Sequence, residues 1–595
     1  MSEHNYWTRL QRRSVNRRTM LRGTAIAGAG LAGAALIGCG GDDDGGGVAQ
    51  VIEKDTEVTA SSEEIEGAEA TGEFNWIFED APKNIPLSGG TRTSSTRTGF
   101  DHFSPFHLGG AGTGYEGFDT LYTRYFRGDH LLLLRGIENV ERPDAVTNIL
   151  TVRDGKFGPN TEIGERPVEA EDIFVSMQIK NEDITVWAPG LYYGSTDWDQ
   201  TEMTDGKTIR LILNAPRNDF FRSSDLRFPS KEAGLMHLAG EKTLQEWDNP
   251  PGSGAYFQTA LTPGTKLEMT RNPGFSRSPW PYIEHLKIIN ISDPAAVEAQ
   301  FRGGTTLSFS ANSRFLFDNI LEDLGGGDRP AIYGVKVPSK STGPSFATSA
   351  LREPFNDPRT REAIKRAFDH DRLIQIIAGG EATTTGPGIT SFFTQWHLPM
   401  DDPQIVDWLR FDPQKSRQLL DALRADGVDV DREMLWLFET GNQLAGDQAT
   451  VGGQMLEEVG FNVRLEAFPN AEMASRVLRR ATADFDFTAF STGPPEPGQQ
   501  LRTLHTDAQY VAEAFCMCDP EYDAMVEEWE QTSDPELIAS RAIAMQRWLI
   551  EHWSTVFFWF LNFTRTLYST TLRNINPFEN VDGHWSWIDE SYLEG

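Results

Sequence analysis

Two of the three cysteines, Cys516 and Cys518, stand one residue apart in FCMCDPEY, and two histidines, His102 and His107, share the segment FDHFSPFH. Thiolates and imidazoles are the usual ligands of zinc-like metals, but a structural site takes four of them. No spacing in this chain supplies the missing partners. The C-x-C pair therefore reads as ordinary thiols or one local disulfide. Two histidines in one loop read as hydrogen-bonded surface groups, so no metal and no cofactor is assigned. Neither G-x-S-x-G nor H-E-x-x-H occurs, which removes two common hydrolase signatures, and no catalytic residue is assigned. Gly28-Ala29-Gly30-Leu31-Ala32-Gly33 matches G-x-G-x-x-G. The dinucleotide reading needs a preceding strand and a βαβ unit, and this copy sits in an apolar leader.

The chain has 595 residues and a formal net charge of −33. Such a surface repels phosphates, so a nucleic-acid partner is not expected. Without residues 1–38, which carry six arginines and one acid, the charge becomes −38 over 557 residues, ample for a large core and more than one domain. The strongest apolar run after the leader, Val556 to Phe563, is too short to span a bilayer and suits a buried strand.

The third cysteine, Cys39, explains the N-terminal region. A basic stretch over residues 1–22 precedes a weakly apolar run from Gly23 to Gly38, the pattern of a secretory signal. Arg17-Arg18 followed by Met20-Leu21 resembles a twin-arginine export signal, with Asn16, Met20 and Arg22 departing from the usual residues. Leu36-Ile37-Gly38-Cys39 is similar to a bacterial lipobox. That resemblance implies cleavage before Cys39, lipidation of its thiol and anchoring at the outer face of the cytoplasmic membrane, or in the periplasm. Residues 39–71 then form an acidic tether without aromatic side chains, unable to build a core.

The positioning elements follow from local signals. Ile149, Leu150 and Val152 form a short strand, and a helix starts at Glu169 with acids in its first turn, where the helix dipole favours them. Tyr256-Phe257 and Leu267/Met269 flank Pro263-Gly264 as a hairpin. Asp357-Pro358 and Asp412-Pro413 open helices as N-cap and first-turn proline. A second short helix starts at Asp369 or Asp371 and ends at Gly379-Gly380. Met434 to Phe438 (strand), Gln448 to Val459 (helix), Val463 to Ala467 (strand) and Asp484 to Phe490 (strand) give a βαβ-like order, hence an α/β class with a mixed sheet covered by helices.

In order, these stretches resemble the family 5 solute-binding proteins of ATP-binding-cassette (ABC) importers, which take oligopeptides, dipeptides, nickel complexes and some oligosaccharides. The segments carrying the likeness are Phe100 to His107, Asp119-Thr120-Leu121, Leu150 to Asp172, Gly252 to Tyr256 and Arg271-Asn272-Pro273. The strongest signature runs from Pro354-Phe355-Asn356-Asp357-Pro358-Arg359 to Ala367-Phe368-Asp369. The resemblance implies a two-lobed, periplasmic-binding-protein-like fold of the large peptide-binding class, hinged around a cleft. The implied division is residues 72–345 as lobe I with a subdomain at about 116–240, 346–560 as lobe II, and 561–595 returning to lobe I. It implies a monomeric receptor without enzymatic activity, delivering a peptide or other small solute to importer permease subunits, with the anchor raising its local concentration.

Two loops and one aromatic are expected at the solute. Gly110 to Tyr115, with Gly112, Thr113 and Tyr115, offers exposed backbone groups. Phe490 to Pro497 contributes Phe490, Thr492, Gly493 and Glu496. In peptide-binding relatives an aspartate in this segment pairs with the peptide ammonium. Aligning Glu496-Pro497 with the relatives' Glu-Pro leaves Gly493 at that place. A buried ammonium without a carboxylate is costly, so either Glu496 or another acid substitutes, or the solute is not a standard free peptide; the second is preferred. Trp396 follows the Gly386-Pro387-Gly388 loop and is expected at the cleft, whereas Trp436 on a strand is expected in the core. The alternatives are an anchored extracellular hydrolase, since carboxylates paired in space are invisible here, and a ligand sensor for a signalling partner.

Overall fold

The computed structural model describes residues 51–53, 89–96, 102–107, 118, 122–127, 129–159, 163–183, 193–218, 220, 226–248, 251–277, 280–291, 293–311, 314–325, 331–338, 345–348, 350–389, 396–440, 442–469, 472–473, 476, 485–490, 497–506, 516–532, 534–554, 559–561, 563–573 and 591–593. Cys39, the leader, Asp119-Thr120-Leu121 and all of the expected tether but residues 51–53 lie outside them, whereas Val51–Glu53, within the stretch expected to stay unpacked, pairs in parallel with residues 334–336. No helix among the described residues is long and apolar enough to cross a membrane.

Among the described residues, four four-stranded sheets organise the chain. The first holds Ser308–Ala311, Ile332–Pro338 and Phe563–Ser569 with the short Val51–Glu53 at its edge. The second joins Thr91–Thr96, His285–Asn290, Lys266–Arg271 and Tyr256–Thr262. Its last two strands are the expected hairpin. Gly264 takes φ +67° in the turn, a conformation a side chain would strain. The third sheet is antiparallel throughout, built from Ile137–Glu141, Thr147–Val152, Thr208–Ile212 and Glu202–Met203.

The fourth sheet is mixed, as the βαβ pattern predicts. Glu433–Glu439 pairs in parallel with Asn462–Phe468 on one side and Phe487–Phe490 on the other, and Ser345–Ala347 adds an antiparallel edge. The connecting helix, Gln443–Val459, starts five residues before its expected start because Asn442 caps it by accepting the Ala445 N–H. Gly460 ends it at φ +114°. Gly452 lets this helix lie against the sheet. A Cβ there would stand 2.6 Å from the ring of Trp436, which is fully buried, as expected for a core residue.

The Asp-Pro helix starts behave as read. Asp357 accepts the Arg359 N–H at 2.8 Å and opens Pro358–Ala367, whose Ala363, Ile364 and Ala367 are buried. Asp369 caps His370–Ala378, and Gly379 closes it in the left-handed region. Asp412 opens Pro413–Ala425, burying Leu419, Leu420 and Leu423. These helices and the mixed sheet share one apolar cluster with Phe355, Trp408 and Trp436.

The chain crosses between these bodies near its end. Trp559–Leu561 pairs with Ala382–Thr384, while the next strand, Phe563–Ser569, pairs with Ser308–Ala311 and Ile332–Pro338. A larger apolar cluster combines Phe106 and side chains from Ile137 to Trp247 with others from Ile389 to Leu549.

Candidate solute site

Of the residues expected at the solute, Gly112, Thr113, Tyr115, Thr492, Gly493 and Glu496 lie outside the described residues. Phe490 is placed by its backbone as the last residue of Phe487–Phe490, paired with Ser345. That strand is anchored at its entry. The Asp486 carboxylate accepts both Arg432 Nη groups, at 2.5 and 3.0 Å, and the Leu435 N–H at 2.9 Å. Asp486 is almost fully buried. These are charge-assisted bonds, the strong kind, and they fix where the backbone emerges at Phe490.

Trp396 is 4% exposed and packs in the larger cluster, among side chains drawn from both of its chain regions. Its segment is clamped by Gln546 on the helix Pro535–Glu551. The amide Nε2 donates to the Trp396 carbonyl at 2.8 Å, and Oε1 accepts the Leu398 N–H at 2.9 Å. Gln546 is fully buried, so this two-ended contact satisfies backbone groups that water cannot reach. On the other side, the Gly386 N–H donates to His397 Nε2 at 3.3 Å. Burial pushes the His397 imidazole down to about 4, which keeps it neutral and able to accept. Gly388 has φ +81°, and a Cβ there would lie 2.8 Å from Leu549. The Gly386-Pro387-Gly388 loop is thus held from both ends.

Polar contacts join the two regions of this cluster. The Asn218 backbone N–H donates to the Glu530 carbonyl at 2.8 Å, and its side chain donates to the Trp529 carbonyl at 2.5 Å. Arg217 approaches the Glu530 carboxylate to 3.7 Å, and Arg502 donates to it at 2.9 Å. Glu530 and Asn218 are buried. None of this geometry was legible in the sequence, because Asn218 and Trp529 are 311 positions apart. The arrangement positions and encloses.

Cys516 and Cys518 form a disulfide, the local pairing left open by the C-x-C spacing. His107 differs from the expected surface group: it is 5% exposed, and its surroundings are taken up below.

The sequence profile of the bacterial extracellular solute-binding proteins, family 5 (middle part), matches residues 152–510. A curated relative, the di/tripeptide-binding protein 2 of Pseudomonas aeruginosa, is 25% identical over 288 residues, covering 47% of this chain and 50% of that one. The chain thus spans about half the length of the curated relatives it matches. Among solved structures, a dipeptide-binding protein from a Pseudoalteromonas species in complex with Met-Leu superposes with TM-score 0.71 at 16% identity, over 85% of this chain and 100% of that one. The oligopeptide-binding protein AppA of Bacillus subtilis, in complex with a nonapeptide, gives 0.70 at 15% identity, over 86% and 100%. These likenesses show the fold, a mixed α/β architecture of the two-lobed binding-protein type. The profile match, which runs from the antiparallel sheet through the mixed sheet and its helices, makes this chain a member of the bacterial extracellular solute-binding proteins, family 5.

Proposed function

We propose that the protein is an extracytoplasmic solute receptor that closes its cleft on a peptide-like or other small solute and delivers it to the permease subunits of an ABC importer. The family match over residues 152–510 carries this reading. The division into lobes at about 345 and 561, with a subdomain at about 116–240, is supported by the strand pairing. The chain leaves the first sheets after Pro338, builds the mixed sheet from Ser345 to Phe490, and returns at Phe563. The Asn218 and Arg217 contacts to Trp529 and Glu530 are of the kind that a closing cleft makes and breaks.

The solute contacts are assigned to Trp396, Phe490, Thr492, Gly493 and Glu496 on one side and Gly112, Thr113 and Tyr115 on the other. Gly493 at the place of the relatives' aspartate favours a solute without a free N-terminal ammonium, or one met by Glu496. Cys39 carries the lipid that keeps the receptor beside its importer, and the protein works as a monomer without turning its solute over.

The test is native mass spectrometry of protein begun at Gly40 and purified gently, followed by denaturation to identify the released molecule. A retained peptide or small solute, recovered unchanged, is expected. Steady conversion of an added peptide or glycoside into product by the pure protein would refute a binding-only role.

A further inference from the structure

Three chain segments far apart in sequence bring their side chains to one point. His107 lies just after buried Phe103 and Phe106. Asp183 is the C-cap of the helix Ala170–Glu182, and His237 stands in the last turn of the helix Lys231–Leu238. The Asp183 carboxylate Oδ2 is 2.8 Å from His237 Nε2 and 3.5 Å from His107 Nε2. One ligand atom from each of the three falls within 4.8 Å of the others. All three side chains are sequestered, at 5%, 15% and 8% exposure for His107, Asp183 and His237. We propose that His107, Asp183 and His237, none of them among the residues assigned to the solute, form a binding site for a divalent transition-metal ion of the zinc type.

The donor set fits. Two imidazole nitrogens and one carboxylate oxygen are the usual three protein ligands of an open zinc site, with the fourth position left to water. Tetrahedral bonds of about 2.0–2.1 Å place ligand atoms about 3.3 Å apart. The His107–Asp183 separation of 3.5 Å already matches this, and the His237–Asp183 separation of 2.8 Å has to open by about half an ångström. Ser104 Oγ lies 2.6 Å from His107 Nδ1, so the hydroxyl oxygen can accept a hydrogen bond from the outer Nδ1–H and hold the ring in its coordinating orientation. Two helix C-termini, with their partial negative charge, converge on the same point and favour a cation there.

Competing contacts are also visible. The Leu244 N–H donates to His237 Nδ1 at 3.4 Å, which leaves the ring proton on Nε2 and shared with Asp183. Metal entry displaces that proton, turns the ring to its other tautomer and gives up the long Leu244 contact. Lys180, one turn before Asp183, has its ammonium 5.9 Å from the Phe106 ring centre, a like charge in the same region. His102 stands outside the triad. Its ring centre is 6.1 Å from that of His107, and its nitrogens face the Ser104 N–H and the Gln245 amide.

The experiment uses the full chain, treated with a chelator that is then removed, and titrated with Zn²⁺ alone by calorimetry and with Co²⁺ by visible absorption. One Zn²⁺ per chain is expected, with Co²⁺ bands of a four-coordinate nitrogen–oxygen site, and with uptake weakening in acid as protons compete for the ligands. His237→Ala and Asp183→Asn should each lower the affinity at least about 100-fold, above the range for outer contacts, whereas His102→Ala should leave it unchanged. Circular dichroism of each variant without metal keeps a folding defect separate from a lost ligand. Should a variant fail to fold, the Co²⁺ bands of the unaltered chain decide. The absence of these bands, no uptake of Zn²⁺, or uptake that survives both Asp183→Asn and His237→Ala would overturn the site and leave a purely hydrogen-bonded cluster. Because the probe is the free ion, these outcomes stand apart from whether the cleft holds a peptide.

Discussion

Removing Asp172 should cost more stability than removing any surface acid of this highly acidic chain. Its side chain is fully buried and accepts four hydrogen bonds. Two come from Arg166, at 2.5 and 3.0 Å, one from the Glu169 N–H at 2.8 Å and one from the Lys231 N–H at 2.7 Å. The carboxylate thus caps one helix and ties it to the start of another. Arg166 gains from the arrangement. Burial opposes its charge, yet the hydrogen bonds to Asp172 and Glu232 hold its pKa above the ordinary value. Breaking a buried pair from one side costs about 3–5 kcal/mol. Here Glu232 still accepts from Arg166 at 2.7 and 3.0 Å, which pulls the cost toward the lower end. The two orphaned backbone N–H groups add about 1 kcal/mol each at least. Asp172→Ala should therefore lose about 5 kcal/mol, and Asp172→Asn, which keeps one acceptor oxygen, about 2 kcal/mol. Urea unfolding with unchanged m-value measures this as a lower midpoint. The double variant Arg166→Met, Asp172→Leu should recover much of the loss, since it removes both charges together. A loss below about 1 kcal/mol for Asp172→Ala, or a double variant no better than the sum of the singles, would refute the reasoning.

Acid should weaken the fold through His397. Its pKa is about 4 in the folded state, held down by burial, against about 6.5 unfolded. The unfolded chain therefore binds the proton first. The stability contributed by the neutral ring is complete above about pH 6.5 and fades as pH falls toward 4, by at most about 3 kcal/mol. His397→Gln should flatten that part of a pH–stability curve, and an unchanged slope would count against it. Gly452→Ala should destabilise by about 1–2 kcal/mol net in thermal or urea unfolding, because the new methyl meets the ring of Trp436 and overpacking outweighs the gain of about 1 kcal/mol in helix propensity. A neutral or stabilising result would mean the helix can shift.

The sequence by itself determined the local elements and, through their order, the family. Asp357-Pro358 and Asp412-Pro413 cap helices wherever they are placed, because a carboxylate accepting an N–H two or three residues on needs nothing but its neighbours. Pro263-Gly264 turns a hairpin for the same short-range reason. The start of Gln443–Val459 was read late, since the glycine-rich stretch after Asn442 carries a weak periodic signal and the cap outweighs it. Trp436 could be assigned to the core from its strand, but not the fact that Gly452 must stay small to admit it. Tertiary structure alone decided the rest. His107 is polar and flanked by loop residues, which reads as surface, yet packing buries it against Asp183 and His237. The convergence of these three, like that of Asn218 with Trp529, depends on where two helix ends and distant loops meet. No residue in those segments encodes its partner locally; the angle at which the elements pack does.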